Sequence, residues 1–201
     1  MHIIIDLGAN DGCSIKKFQS ILQQKNITDY TIYSFEPHPY FYRHLQQYES
    51  DRVTIIPKLA FTENGVHKLY FSTVGNDGSS IYSDKTTNGV SESHYVECEA
   101  IDLAEFIQSL PSYHTLWLKM DVEGAEYDLI PHLFHNGLLP KVNTLFIEWH
   151  HEKISSITKE QHLETIDMVK HIDTQIWDAL DFRELTDQHY RDTFIYGDGG
   201  T

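Results

Sequence analysis

The chain has 201 residues, 40% of them hydrophobic, which suits one domain with a sizeable apolar core. Its 15 basic and 30 acidic residues give a formal net charge of −15 and form no Lys/Arg cluster for phosphate backbones, so no nucleic-acid partner is expected. The sequence shows no apolar run approaching the roughly 20 residues of a membrane span, no secretory leader and no disulfide framework, which predicts a reducing cytoplasmic location.

The first part of the chain alternates short apolar strands with amphipathic helices. Strands are predicted at residues 3–6, 30–35 and 53–56. The first ends in a glycine-rich turn and the second in Glu36-Pro37. This alternation predicts a parallel sheet with helices on both faces. The apolar residues at helical spacing after the first two strands are Ile15, Phe18, Ile21 and Leu22, then Phe41, Leu45 and Tyr48.

The middle of the chain departs from this alternation. Asn64-Gly65 lies between two apolar segments and predicts an inserted hairpin. Residues 72–93 are polar and rich in Gly, Ser, Asn and Asp, so they predict a long loop, which in a compact domain is usually functional or disordered. A strand at residues 95–101 and a helix capped by Asp102 follow.

The last part returns to strand and helix. Strands are predicted at residues 116–120 and 144–149, with a short helix between them that Pro131 is expected to interrupt early. A capping box at residues 158–161 begins a helix that buries Leu163, Ile166, Val169 and Ile172. Residues 182–185 and 192–196 are predicted to form a terminal antiparallel pair. Without an internal repeat or linker, residues 1–201 are predicted to form a single domain.

The turn from Asp6 to Gly12 is the first candidate ligand site. Its glycines allow close backbone approach, and the following helix N-terminus offers free N–H groups. Asn10 stands where the dinucleotide pattern G-x-G-x-x-G has its central glycine, although Asn tolerates left-handed conformations. A plain strand–helix turn would show the same residues.

Glu36, at the end of the second strand, strengthens the ligand hypothesis. A carboxylate there can accept hydrogen bonds from both ribose hydroxyls of an adenosine, although an acid that caps a helix before Pro37 would look the same. NAD binding would require the central glycine of the pyrophosphate-binding pattern, which this turn lacks. S-adenosyl-L-methionine (SAM) instead carries two cationic groups and a carboxylate, which acids such as Asp6 and Asp121 and backbone N–H groups suit.

The segment Leu118-Lys119-Met120-Asp121-Val122-Glu123-Gly124-Ala125-Glu126 places a lysine and three carboxylates around one glycine at the end of a predicted strand. With this segment, the glycine-rich turn and Glu36 in place, the chain resembles the FkbM family of SAM-dependent methyltransferases. The segment is the most specific piece of the resemblance, whereas the glycine-rich turn is shared with methyltransferases at large. The other matching pieces, in family order, are Asp6-Leu7-Gly8-Ala9-Asn10-Asp11-Gly12, Phe35-Glu36-Pro37, Gly78-Ser79-Ser80, Ile101-Asp102-Leu103 and Ile147-Glu148-Trp149-His150.

The resemblance implies a Rossmann-like class I methyltransferase fold with a mostly parallel seven-stranded sheet, and O-methylation, often of sugar or polyketide hydroxyls. The first strand begins almost at Met1, without the N-terminal lid of many methyltransferases. This fits either a minimal enzyme or a domain cut from a longer polypeptide with companion glycosyltransferase domains. The implied cofactor-binding residues are Asp6, Gly8, Ala9, Asn10, Gly12, Glu36, Pro37, Ala60, Phe61 and Asp121.

Methyl transfer to a hydroxyl depends on alignment and is helped by a positioned base. His150 is the first candidate base, although a surface or core histidine would look the same and His151 adjoins it. Lys119, Asp121 and Glu123 are further catalytic candidates, with a plain ion-pair network as the alternative. Hard cations favour oxygen ligands. The residues that could meet around Mg²⁺ are Asp121, Glu123, Glu148 and His150.

Four residues are candidates for contact with the acceptor. Ser79 and Ser80 could hydrogen-bond a sugar from a loop that gates the site, or belong to a solvated loop. Glu126 is expected to share a helix face with Glu123, and Trp149 could stack on a sugar ring or be buried. The sequence therefore predicts a SAM-dependent O-methyltransferase acting on a sugar or glycan hydroxyl. The alternative is a non-catalytic SAM-binding module of a larger glycan-building enzyme.

Overall fold

Six parallel strands form the central sheet of the computed structural model, which describes residues 1–72 and 78–177. The first strand lies at the centre of the sheet. The next two strands are added on one side of it and the later strands on the other side, so the strand order reverses at the centre of the sheet. In open α/β sheets the crevice at such a reversal is the usual ligand site. In spatial order the strands are β3 (Val53–Ile56), β2 (Tyr30–Phe35), β1 (His2–Leu7), β7 (Thr115–Met120), β8 (Thr144–Ile147) and β9 (Asp173–Ile176).

Helices cover both faces of this sheet. Side chains alternate between the faces, so Ile4 packs with α1 while Ile3 and Ile5 pack with α3 and α4. With both faces covered, the central strands are almost continuously apolar. On one face lie α1 (Cys13–Gln24) and α2 (Pro39–Leu45), and on the other lie α3 (Leu103–Ser109), α4 (Glu126–His135) and α5 (Lys159–Val169).

A second sheet of three strands, β4 (Leu59–Phe61), β5 (Gly65–Tyr70) and β6 (Tyr95–Asp102), is inserted after β3. The strand β6 lies between the other two, so the predicted hairpin across Asn64-Gly65 does not form. Neither turn residue has the positive φ that a type I′ hairpin requires. The Asn64 side chain instead accepts from the Asp102 N–H at 3.1 Å and donates to Glu105 at 2.7 Å, at the start of α3.

The expectation that Pro131 would interrupt its helix early is wrong. The helix α4 continues through Pro131 to His135. A proline removes one backbone hydrogen bond, but Leu129, Ile130 and Leu133 of α4 are fully buried in the core. Burial of this apolar face stabilises the helix more than the missing bond destabilises it.

The sequence does not predict the edge strand β9. Ile172 lies beyond the end of α5, and Leu163, predicted to be buried, is 54% exposed. The predicted terminal pair at residues 182–185 and 192–196 lies outside the described residues. The predicted fold class is confirmed: a mostly parallel α/β sheet with helices on both faces and an insertion after the third strand. None of the described helices is both long and apolar enough to cross a membrane.

Candidate functional site

A cavity of about 260 Å³ lies at the carboxyl ends of the central strands, beside the point where the strand order reverses. Its polar lining comes from Gly8 and Asn10 after β1, Glu36 after β2, and Asp121 and Glu123 after β7. A mostly apolar pocket with a few convergent polar groups is typical of small-molecule sites. The apolar wall consists of Leu7, Phe35, Phe41, Leu59, Leu69, Ile81 and Val122.

The turn after β1 packs directly against the end of β7. Gly8 has φ of 77°, and a Cβ atom there would overlap the carbonyl oxygen of Asp121. The Asp121 N–H donates to the Leu7 carbonyl at 3.3 Å. A glycine is therefore required at position 8 for this close approach. This close contact brings the glycine-rich turn and the acidic residues after β7 together in one site.

Glu36 connects the turn to the second strand. Its Oε2 accepts from the Asn10 N–H at 2.9 Å and its Oε1 accepts from the His38 N–H at 2.8 Å. Burial raises the pKa of Glu36 to about 7, although these two N–H groups and the charge of Lys119 act to lower it. A carboxylate has about four lone-pair sites, so Glu36 keeps acceptor capacity for hydroxyl groups of a ligand in the cavity.

Lys119 lies beneath the turn rather than in the cavity lining. Its Nζ donates to the carbonyls of Leu7 at 3.2 Å and Gly8 at 2.7 Å, and lies 3.4 Å from carboxylate oxygens of both Asp6 and Asp121. Burial acts to lower the pKa of Lys119, but the charges of Asp6 and Asp121 outweigh burial and raise it. This side chain is therefore a buried cation that fixes the turn.

Asp6 is also buried, and its Oδ2 accepts from Ser14 Oγ at 2.6 Å and Ser34 Oγ at 3.3 Å. The Phe61 ring packs on His67 with 4.7 Å between ring centroids. Of the predicted cofactor residues, those in the cavity lining are Gly8, Asn10, Glu36, Pro37, Ala60 and Asp121, whereas Asp6, Ala9, Gly12 and Phe61 lie outside it.

His150 is fully buried behind the cavity, among four carboxylates. Its Nδ1 is 3.1 Å from Glu126 Oε1, and its Nε2 is 3.1 Å from Glu148, 3.4 Å from Glu123 and 3.9 Å from Asp121. Burial acts to lower the pKa of His150, but the carboxylates outweigh burial and raise it to about 10. An imidazolium has no free nitrogen lone pair, so this arrangement does not favour His150 as the base.

Three of the four predicted metal residues come together in one group. One ligand-type atom from each of Asp121, Glu123 and His150 lies within 4.8 Å of the others. Glu148 lines the cavity, but its Oε1 also accepts from Lys153 Nζ at 2.8 Å. Burial acts to raise the pKa of Glu148, whereas His150 and Lys153 outweigh burial and hold it well below the usual range. Glu148 thus lies outside this group of three.

Sequence reasoning missed Lys85, which lies in the segment that covers this acidic cluster. Its Nζ is 2.6 Å from Glu123 Oε2 and donates to the Gly78 carbonyl at 2.6 Å. The neighbouring Ser80 is buried and donates to the Glu123 carbonyl at 2.6 Å. Glu123 has a φ of 51° and precedes α4, so the expectation that it shares a helix face with Glu126 is wrong. A lysine in a long polar loop follows no periodic pattern, so the sequence offers no signal for this contact.

Only Ser79 of the four predicted acceptor residues lines the cavity. Ser80 is buried beside Glu123, as described above. Glu126 is fully buried and accepts from the Gly124 N–H at 2.9 Å as well as from His150. Trp149 packs against His162 with 5.2 Å between ring centroids. Ser80 and Glu126 thus support the site from behind its lining, whereas Trp149 packs against the core.

A family model described as the methyltransferase FkbM domain matches residues 6–184 of the chain. Among solved structures, the fold is similar to that of a methyltransferase FkbM from Methylobacillus flagellatus KT, with a TM-score of 0.50 and 13% sequence identity. The alignment covers 84% of this chain and 38% of that one, so the chain spans well under half the length of the solved protein. No curated protein matches the sequence.

Proposed function

This chain belongs to the FkbM methyltransferase family, and from that membership we propose that it transfers the methyl group of SAM to a hydroxyl of a sugar or glycan. The observation that carries the proposal is the position of Glu36, which lines the cavity and is bound to the Asn10 N–H of the glycine-rich turn. An acid in this position suits the paired ribose hydroxyls of an adenosine.

SAM supplies an electrophilic methyl group on a sulfonium, and transfer to a hydroxyl depends on alignment of the two reactants. In the proposed arrangement Glu36 would accept hydrogen bonds from the ribose, and the backbone of Gly8 and Asn10 would hold the methionine part. Lys119 is a positioning residue, because its Nζ binds the carbonyl of Gly8 from below.

We propose that a carboxylate, rather than His150, accepts the proton of the acceptor hydroxyl. Asp121 lines the cavity with 26% of its side chain exposed, whereas His150 is fully buried. An acid within hydrogen-bond reach of the acceptor hydroxyl can orient it and take its proton. Asp121 is thus the proposed base, with Glu123 and Ser79 on the acceptor side of the cavity.

The proposal includes a divalent cation, for which the sequence suggested Mg²⁺, because Asp121 and Glu123 present oxygen donors at the cavity. Such an ion would lower the pKa of a hydroxyl bound to it. A cytoplasmic setting, a glycan acceptor and companion glycosyltransferase domains stay predictions from the sequence.

Calorimetry with S-adenosylhomocysteine and with NAD tests the cofactor. We expect the first to bind, and Glu36→Gln to weaken its affinity by roughly 10- to 100-fold, because hydrogen bonds to a charged group contribute about 1.5–3 kcal/mol. Glu97→Gln, on the exposed surface of β6, is the control and should leave the affinity unchanged. Binding of NAD without binding of S-adenosylhomocysteine would overturn the proposal.

Transfer of labelled methyl groups from SAM to a panel of glycans, with and without a chelator, tests the reaction. We expect Asp121→Asn to lower turnover at least 100-fold, while Asp51→Asn, in the exposed turn before β3, leaves it unchanged. Binding of S-adenosylhomocysteine without transfer to any acceptor would support the non-catalytic module instead. Transfer that survives both His150→Ala and Asp121→Ala would remove the proposed site.

A further inference from the structure

His150 is held in the manner of a metal-binding histidine. Its Nδ1 lies 3.1 Å from Glu126 Oε1, and Glu126 is itself fixed by the N–H groups of Gly124 and His150. Histidines that bind metals almost always donate their other ring N–H to such an outer carboxylate, which fixes the ring. This pairing directs Nε2 toward Asp121 and Glu123.

The Nε2 atom of His150 is fully buried yet makes no hydrogen bond within the described residues. The nearest carboxylate oxygen, from Glu148, is 3.1 Å away, which is close enough for an ion pair but does not give a hydrogen bond. Buried polar atoms without hydrogen bonds are rare in folded proteins and call for an explanation such as an ion. A cation between the ring and the carboxylates, whose binding would release the Nε2 proton of the imidazolium, supplies one.

The distances between the proposed ligand atoms are close to those expected around a single bound cation. Atoms bound to one ion at about 2.0–2.2 Å lie about 3.0–3.5 Å apart in adjacent octahedral or tetrahedral positions. The separation between Nε2 and Glu123 Oε2 is 3.4 Å, and that between Nε2 and Asp121 Oδ1 is 3.9 Å. A small rotation of the partly exposed Asp121 side chain brings the second distance into this range.

We propose that Asp121, Glu123 and His150 bind a first-row transition-metal dication in preference to Mg²⁺. The inference deepens the cation of the proposed function by naming its ligands and its class. Mg²⁺ and Ca²⁺ prefer oxygen donors alone, whereas imidazole nitrogen suits transition metals. Two carboxylates and one buried imidazole form a mixed set, and water or an acceptor hydroxyl would complete the coordination from the cavity side.

Lys85 lies where its charge would compete with a bound metal ion. Its side chain is fully buried, and its ammonium lies 2.6 Å from Glu123 Oε2, an atom that the ion would use. Like charges at this spacing repel strongly away from water. Metal binding therefore competes with the contact between Lys85 and Glu123, and removal of the lysine charge should strengthen metal binding.

The test uses the full chain, stripped with a chelator and then titrated with Mn²⁺ while the electron paramagnetic resonance signal of free Mn²⁺ is followed. We expect one saturable site per chain, with Mg²⁺ competing at least tenfold more weakly. His150→Gln and Asp121→Asn should each weaken Mn²⁺ binding at least tenfold, and Lys85→Met should strengthen it at least threefold. The matched controls, His94→Gln and Glu97→Gln, are exposed and should leave binding unchanged.

Thermal unfolding identifies the variants that remain folded. Asp121→Asn keeps the test decisive if His150→Gln does not fold, because Asp121 is partly exposed. Absence of a saturable Mn²⁺ site, equal or tighter binding of Mg²⁺, or unchanged binding in the folded ligand variants would overturn the inference. Methyl transfer that resists chelation would then leave the proposed function standing without the metal. Metal binding without transfer would support the site and count against the enzyme.

Discussion

Glu36 is the residue at which burial and ligand recognition oppose each other most directly. It is buried near Asp6, Lys119 and His38, and burial raises its pKa from 4.5 to about 7. The folded protein thus favours the protonated acid. The stability from this group is fully present below pH 4.5 and is lost as the pH rises through about 7.

The affinity for S-adenosylhomocysteine should therefore depend on pH. The ribose hydroxyls are donors that require the ionised form of Glu36, so we expect the affinity to fall below pH 7 by up to about tenfold per pH unit. Calorimetry from pH 5.5 to 8.5 measures this slope. In Glu36→Gln the slope should disappear. A wild-type affinity that is flat across this range would contradict the assignment of Glu36.

Gly8→Ala tests the close contact between the turn and Asp121, and Gly137→Ala is its matched control. Both have positive φ, but a Cβ on Gly8 would overlap Asp121 whereas a Cβ on Gly137 would meet nothing within 4 Å. Gly137→Ala should cost only the backbone strain of about 1–2 kcal/mol. Gly8→Ala should cost about 1–3 kcal/mol more and abolish binding of S-adenosylhomocysteine. Denaturant unfolding compares the two variants, and equal costs would contradict the close approach.

At the scale of elements, residues 78–90 are attached to the structure that surrounds the acidic cluster. Tyr82 donates to Asp128 of α4 at 2.8 Å, and the Thr86 N–H donates to the Lys153 carbonyl at 2.7 Å. Asp84 accepts from the Ser156 N–H at 2.6 Å. With the ion pair of Lys85, these contacts place the segment where it can shape the acceptor side of the cavity.

Loss of the Tyr82 contact should loosen this segment without unfolding the sheet. Tyr82→Phe removes one hydrogen bond to a charged group, so we expect a cost of about 1.5–3 kcal/mol and faster amide exchange at residues 78–90. Tyr113→Phe is the control, because the Tyr113 hydroxyl makes no hydrogen bond within the described residues. Exchange that accelerates equally in both variants would show that the contact does not hold the segment.

The sequence predicts the elements best where burial dictates the residue pattern. The strands β1 and β7 are apolar because both faces are covered, and the glycine-rich turn and Glu36 follow from the chemistry at strand ends. By contrast, β9 has the sequence Asp-Thr-Gln-Ile and is a strand because it pairs with β8, which its own pattern does not reveal. The charge state of His150 was equally hidden, because it depends on how closely the carboxylates of residues 121–126 and Glu148 pack around its ring.

At the scale of the whole molecule, a buried ion pair joins the two central strands. Asp6 of β1 and Lys119 of β7 are register partners, and their charged atoms lie 3.4 Å apart. Both side chains are almost completely buried. The pair therefore lies between the two halves of the sheet, directly beneath the cavity.

We expect Lys119→Met to destabilise the protein by about 3–5 kcal/mol, because it leaves Asp6 buried without its cation. The double variant Asp6→Asn/Lys119→Met should recover at least about 1 kcal/mol of this loss. Lys58→Met breaks an exposed pair with Glu99 and should cost at most about 1 kcal/mol. Denaturant unfolding measures these three variants together with the single variant Asp6→Asn, which completes the cycle. A double variant as unstable as the sum of its single changes would show that the two charges act independently.

The reversal of strand order at the centre of the sheet also sets the timing of assembly during synthesis. The contact between Lys119 and Leu7 joins residues 112 positions apart. At roughly 5–20 residues added per second, β1 waits about 6–22 seconds for the strand that completes its second edge. Until then one edge of β1, whose residues are mostly apolar, is unpaired. An unpaired apolar edge can promote aggregation. We therefore expect the nascent chain to be most prone to aggregation during this interval.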